Sequence, residues 1–72
     1  MLMAMERTPA DMILKLRRVG LSSSDIARWG ESKGRRVNAN TLRDIVATGK
    51  LNVSDDIRNT LNELYHRMCN DS

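Results

Sequence analysis

Four times along the chain a residue suited to capping a helix stands just ahead of an apolar period of three and four, and three of those periods run into a glycine. Such punctuation restricts the chain to short helices separated by turns. Thr8 caps the first, Pro9 brings a φ preset for the first helical position, and Asp11 lies in the first turn, where the helix dipole favours an anion. That helix is expected over 9–19. Met12, Ile13, Leu16 and Val19 share a face, Lys15, Arg17 and Arg18 lie off it, and Gly20 ends it through its access to positive φ.

Ser22 followed by Asp25 approximates a capping box, with Asp in place of Glu, and the second helix then carries Ile26, Ala27 and Trp29 inward. Ala27 is small enough to let another helix approach closely. Trp29 reads as a core or core-edge residue. A base-stacking platform would need neighbouring aromatics, and the chain has no Phe and only Tyr65 besides. The segment 30–37, GESKGRRV, breaks the apolar period with two glycines and holds Lys33, Arg35 and Arg36, so it reads as an exposed loop.

Asn38 or Asn40 caps a third helix over 40–47. Leu42, Ile45 and Val46 face its core side, Asn40, Thr41, Arg43, Asp44 and Ala47 face solvent, and Gly49 stops it. Asn52 or Ser54, ahead of Asp55 and Asp56, opens a fourth helix, read over 53–68. Its stripe of Ile57, Leu61, Leu64 and Met68, with Tyr65 beside it, either closes the core of the monomer or pairs with a second copy. The expected fold is therefore all-α: one compact bundle of four or five helices over 1–72, with 1–7 frayed and 22–50 forming two short helices joined by a lengthened turn. Met1, Met3 and Met5 mark either alternative starts or a frayed end whose methionines cover part of the core.

Seventy-two residues support one small core and leave no room for a cleft against a second domain. A single cysteine, Cys69, cannot form an intramolecular disulfide, which points to a reducing compartment. With His66 the only histidine, there is no set of ligands at metal-binding spacing, and both residues are most simply surface or packing groups. No cofactor and no small-molecule ligand are expected. No apolar run approaches the roughly 18 residues of a membrane span, and MLMAMERT lacks the layout of a signal peptide, so the chain reads as cytoplasmic and soluble with no membrane partner. The carboxylates stand at helix starts, where the dipole accounts for them, and no nucleophile lies near a base, so an enzyme is not expected.

Charge is unevenly spread. Within 15–50 there are nine lysines and arginines against three acids, a balance of +6, and with +3 overall the flanks carry −3. A middle charged in this way attracts a polyanion, and binding by counterion release would be salt-sensitive. Side-chain chemistry then suggests roles. Arg43 suits a paired contact to guanine, Asn40 or Asn38 to adenine, and Thr41 a phosphate or a thymine methyl; Asp44 either accepts from cytosine or holds Arg43 in place. Lys33, Arg35 and Arg36, beside the start of the third helix, suit phosphates on either side of a groove.

The segments DIARWG and TLRDIVATGK resemble the small helix-turn-helix regulators of the Cro and phage-repressor type (XRE-like), which are common in phages and mobile elements. Ile26 and Ala27 stand where that family places the apolar and small residues of its first motif helix. Leu42 and Ile45 match the apolar positions of its recognition helix, and Gly49-Lys50 matches its glycine-basic ending. The likeness spans 21–50, and the other two helices fit the surrounding bundle. The connector departs from the family's short turn, which leaves open a longer second helix or a wing-like loop. The resemblance implies a sequence-specific repressor that binds double-stranded DNA as a homodimer on an inverted repeat, its recognition helices meeting successive major grooves about 34 Å apart. On that reading Asn40, Thr41 and Arg43 read bases, while Ser22, Ser23, Lys33, Arg35, Arg36 and Lys50 position phosphates, the serines with help from the start of the second helix. A second reading, from a different class, is a small helical adaptor or phage-encoded inhibitor whose basic face meets an acidic protein surface.

Overall fold

The computed structural model describes residues 8–68. It has four helices, α1 (Pro9–Arg18), α2 (Ser23–Ser32), α3 (Ala39–Thr48) and α4 (Asp55–Met68), and no strand among the described residues. Each helix opens on a side chain that satisfies one of its orphan amides. Thr8 Oγ1 accepts from Asp11 N–H at 3.1 Å, Ser22 Oγ from Asp25 N–H at 3.2 Å, Asn38 Oδ1 from Asn40 N–H at 2.8 Å and Ser54 Oγ from Ile57 N–H at 3.3 Å. At α2 the capping box is complete, because the Ser22 N–H also donates to Asp25 Oδ2. Of the open choices, Asn38 caps α3 and Ser54 caps α4.

The helix ends differ from the expected boundaries in two instructive places. Helix α1 closes with a Schellman turn, in which Leu21 N–H reaches the Leu16 carbonyl, Gly20 N–H reaches that of Arg17, and Gly20 takes φ +100°. This turn lifts Val19 out of the apolar stripe, and Val19 is 46% exposed rather than in the core. Helix α2 does not stop at Gly30. It runs one half-turn further and closes by the same pair of bonds, Arg35 N–H to the Gly30 carbonyl and Gly34 N–H to that of Glu31, with Gly34 at φ +77°. The longer second helix is thus the form the lengthened connection takes, and the connector proper is 33–38.

The core explains why α2 continues through Gly30. Helices α3 and α4 each pack across both α1 and α2. Between them lie Met12, Ile13 and Leu16 of α1, Ile26 and Ala27 of α2, Leu42 and Ile45 of α3, and Ile57, Leu61 and Leu64 of α4. Burial of each such large side chain is worth about 1.5–3 kcal/mol. One more core residue, Val37, comes from the connector. Gly30 makes room for it: a Cβ at Gly30 would stand 2.6 Å from Val37 Cγ2. The expectation that 30–37 is an exposed loop is corrected accordingly, since both of its end residues are buried and only its middle faces solvent.

The apolar stripe of α4 closes the core of the single chain. Ile57, Leu61 and Leu64 are buried together with Thr60, whereas Met68, in the last turn, is 46% exposed. Trp29, Val46 and Tyr65 are partly buried and pack against the core edge. The expectations for 1–7 and for Cys69 fall outside the described residues. No helix among the described residues is long and apolar enough to cross a membrane.

Candidate nucleic-acid interface

Helix α3 has two sharply different edges. Leu42 and Ile45 have exposures of 0% and 1% and lock it against α1 and α2. Asn40, Thr41, Arg43, Asp44, Ala47 and Thr48 on the other edge are all exposed. The two residues with the most specific hydrogen-bonding capacity are joined: Arg43 Nη1 donates to Asn40 Oδ1 at 2.8 Å. The bond spans one helical turn, as i, i+3 neighbours allow. It orients the guanidinium and uses only one of its five N–H donors. Asp44 does not hold Arg43, because consecutive helical residues diverge; its backbone carbonyl instead accepts the Thr48 hydroxyl at 2.8 Å.

The connector brings one further cation to this edge. Arg36 is exposed and shares a surface hollow with Glu31, Asn38, Thr41, Val37 and Ile57, so it lies beside the opening turn of α3. Lys50, just past the Gly49 cap, is exposed at the other end of the helix. Lys33 is also exposed, with its ammonium 5.0 Å from the centre of the Trp29 ring, a cation–π contact that shields part of the indole.

Four of the residues expected to contact nucleic acid are buried or otherwise engaged. Ser23 is buried, with a hydroxyl that has no hydrogen-bond partner, so it presents nothing to a phosphate. Arg35 is bound through both Nη atoms to the two carboxylate oxygens of Glu63, at 3.1 and 2.8 Å, which occupies the fork that a phosphate would need. Asn38 spends its side-chain carbonyl on capping α3, whereas a paired contact to adenine needs that oxygen and the amide nitrogen together. Ser22 is exposed, but its hydroxyl and amide are both used in the capping box.

Two acids of α4 emerge as part of this region without any signal in the sequence. Glu63 lies 28 residues from Arg35, and Asp56, whose Oδ2 accepts the Arg36 N–H at 3.0 Å, lies 20 residues from its partner. The Arg35 hydrogen bonds, aided by the positive charges of Arg35, Lys33 and Arg67, hold the Glu63 carboxyl below the usual glutamate range. The same pairing raises Arg35 above its already high value. Asp25 is likewise lowered, first by the Ser22 amide, then by the Ser22 hydroxyl and, more weakly, by Arg28.

Among the described residues, no three His, Cys, Asp or Glu side chains come together as a metal site. Comparison with family models, curated proteins and solved structures finds no match to this chain.

Proposed function

We propose that the protein is a sequence-specific double-stranded DNA-binding regulator, acting as a repressor, in which α3 enters the major groove and two copies of the chain read an inverted repeat. The observation that carries this reading is the pairing of Arg43 with Asn40 on the open edge of a helix whose opposite edge is fully clamped. A rigid rod with an oriented guanidinium and amide on its free side has the dimensions and the donor–acceptor chemistry that base edges in the major groove require. The base-reading set is Thr41 and Arg43, with Asp44 one position further along the same edge and Asn40, whose side-chain carbonyl is spent on Arg43, orienting that guanidinium. Arg36, Lys33 and Lys50 supply the phosphate contacts that set register. The basic balance of 15–50 adds attraction for a polyanion.

Ile57, Leu61 and Leu64 of the α4 stripe are used within the monomer, so the two-fold contact falls to apolar residues that stay exposed, which among the described residues include Leu14, Val19, Leu51 and, at the end of that stripe, Met68. Selection of bound duplexes from a random pool tests ligand, specificity and symmetry at once, and a recovered palindrome is the expected result. A chain that retards no duplex at micromolar concentration, where even non-specific binders begin to associate, overturns the reading in favour of a protein-binding adaptor.

A further inference from the structure

The connector 33–38 has no helix or strand ladder of its own, and it carries the cation nearest the start of α3. Its backbone is fastened at one end by the Schellman bonds of Gly34 and Arg35 and in its second half by Val37 seated over Gly30. Between these anchors the chain reaches across to α4 twice, through the two-point bond of Arg35 to Glu63 and through the Arg36 amide to Asp56. Both acceptors are carboxylates bound to residues of the most basic stretch of the molecule. For a surface that meets a polyanion they are electrostatically unfavourable, since each cancels part of the attraction. What they contribute is geometry: a charge-assisted fork and a charge-assisted amide bond fix adjacent residues in one orientation.

We infer that Glu63 and Asp56 are positioning residues for the DNA-facing edge, holding the connector so that Arg35 points back to α4 and Arg36 points outward beside Thr41. The inference rests on the DNA-binding reading and deepens it, because it divides two neighbouring arginines between opposite tasks. Arg35 is a strut, and Arg36 is the phosphate contact.

The two effects of Glu63 have opposite signs, which makes the test decisive. Glu63→Gln removes a negative charge, so the overall field alone would tighten duplex binding, whereas a loosened connector weakens it. Affinity of the full chain for its selected duplex, measured across a salt series, is expected to fall about three- to tenfold in Glu63→Gln, a size typical of coupling within one hydrogen-bonded network. Arg35→Glu alone should lose more, and the exchange Arg35→Glu with Glu63→Arg should recover most of the loss by re-forming the pair with its ends reversed. Were Arg35 itself on a phosphate, the exchanged protein would stay weak.

Hydrogen exchange of the Arg36 amide in the free protein supplies a readout independent of DNA. It is expected to be protected in the parent and fast in Asp56→Ala. Glu63→Gln binding as tightly as the parent or more so, or an Arg36 amide that exchanges as an open loop does, overturns the inference. A parent chain that binds no duplex while its Arg36 amide stays protected overturns the DNA reading and this role in it, but leaves the strut itself in place.

Discussion

Val37 sits in a notch that exists only because residue 30 is glycine: the two side chains cannot both be there, since a Cβ on Gly30 would meet Val37 Cγ2 at 2.6 Å, Val37 Cβ at 3.1 Å and Thr60 Oγ1 at 3.2 Å. In an ordinary helix interior, replacing Gly by Ala gains about 0.5–1 kcal/mol through the backbone. At this position the sign should reverse. Gly30→Ala is expected to cost about 1–3 kcal/mol, the usual scale of overpacking. Chemical denaturation measures it. The double variant with Val37→Ala should lose less than the two single losses combined, because the smaller side chain relieves the clash. A stabilised Gly30→Ala protein would show that the connector does not pack there.

Thr60 and Ser23 are buried with hydroxyls that lack a hydrogen-bond partner. Burial of an unpaired polar group is costly, while its replacement by an apolar group of the same shape is neutral or favourable. Thr60→Val keeps the branched shape and is expected to raise stability by about 1 kcal/mol. Ser23→Ala should act in the same direction and, since Ser23 faces inward, leave duplex affinity at the parent level. A loss of stability in Thr60→Val would mean that the hydroxyl has a partner after all.

The parts of the fold legible in the sequence are those written within a few residues. Thr8, Ser22, Asn38 and Ser54 cap amides two or three positions ahead, so their role is visible in a short window. The exposed edge of α3 is legible for the same reason, as the complement of the Leu42 and Ile45 stripe. Gly30 and Gly34 are not distinguishable locally, because either offers a helix stop. The choice between them is made by Val37 and by Thr60 on α4, which need residue 30 to be bare. The fate of Arg35 is further from reach still. Arg35 and Arg36 are adjacent and chemically identical, and only the arrival of Glu63 from another helix sends one inward and leaves the other free.

Acid should release the strut. The Glu63 carboxyl is held below its ordinary range chiefly by its hydrogen bonds to Arg35, and Asp25 is held below its range by the Ser22 amide and hydroxyl. For such groups the folded state binds fewer protons than the unfolded chain, so stability rises with pH through the interval between the two pKa values. Their contribution is therefore complete above the unfolded values, about 4.3 for Glu and 3.9 for Asp, and is lost as pH falls through the lower folded values. Glu63→Gln should be less stable than the parent at pH 7, by a small margin because the pair is partly solvated. The difference should vanish in denaturation curves recorded at progressively lower pH, where the parent's Glu63 is protonated and resembles the amide. A gap that persists unchanged into strong acid would mean that the ion pair is not its source.

The Asn40–Arg43 bond and the free guanidinium of Arg36 lead to two different failures when each is removed. Arg43→Ala should cost about 1–3 kcal/mol of affinity for the selected duplex and relax preference at one base pair, because a base-edge contact carries sequence information. Asn40→Ala should also lower affinity. With Arg43→Ala present it should add less than it costs alone, since the two side chains act as one hydrogen-bonded unit. Arg36→Ala is expected to weaken binding to all duplexes alike and to reduce the slope of affinity against salt by about 1, the signature of one lost phosphate contact. Titrations on the selected duplex and on scrambled ones over a range of salt separate the two behaviours. If Arg43→Ala weakens every sequence equally while Arg36→Ala changes the preferred base, the assignment of reader and phosphate contact between α3 and the connector is inverted.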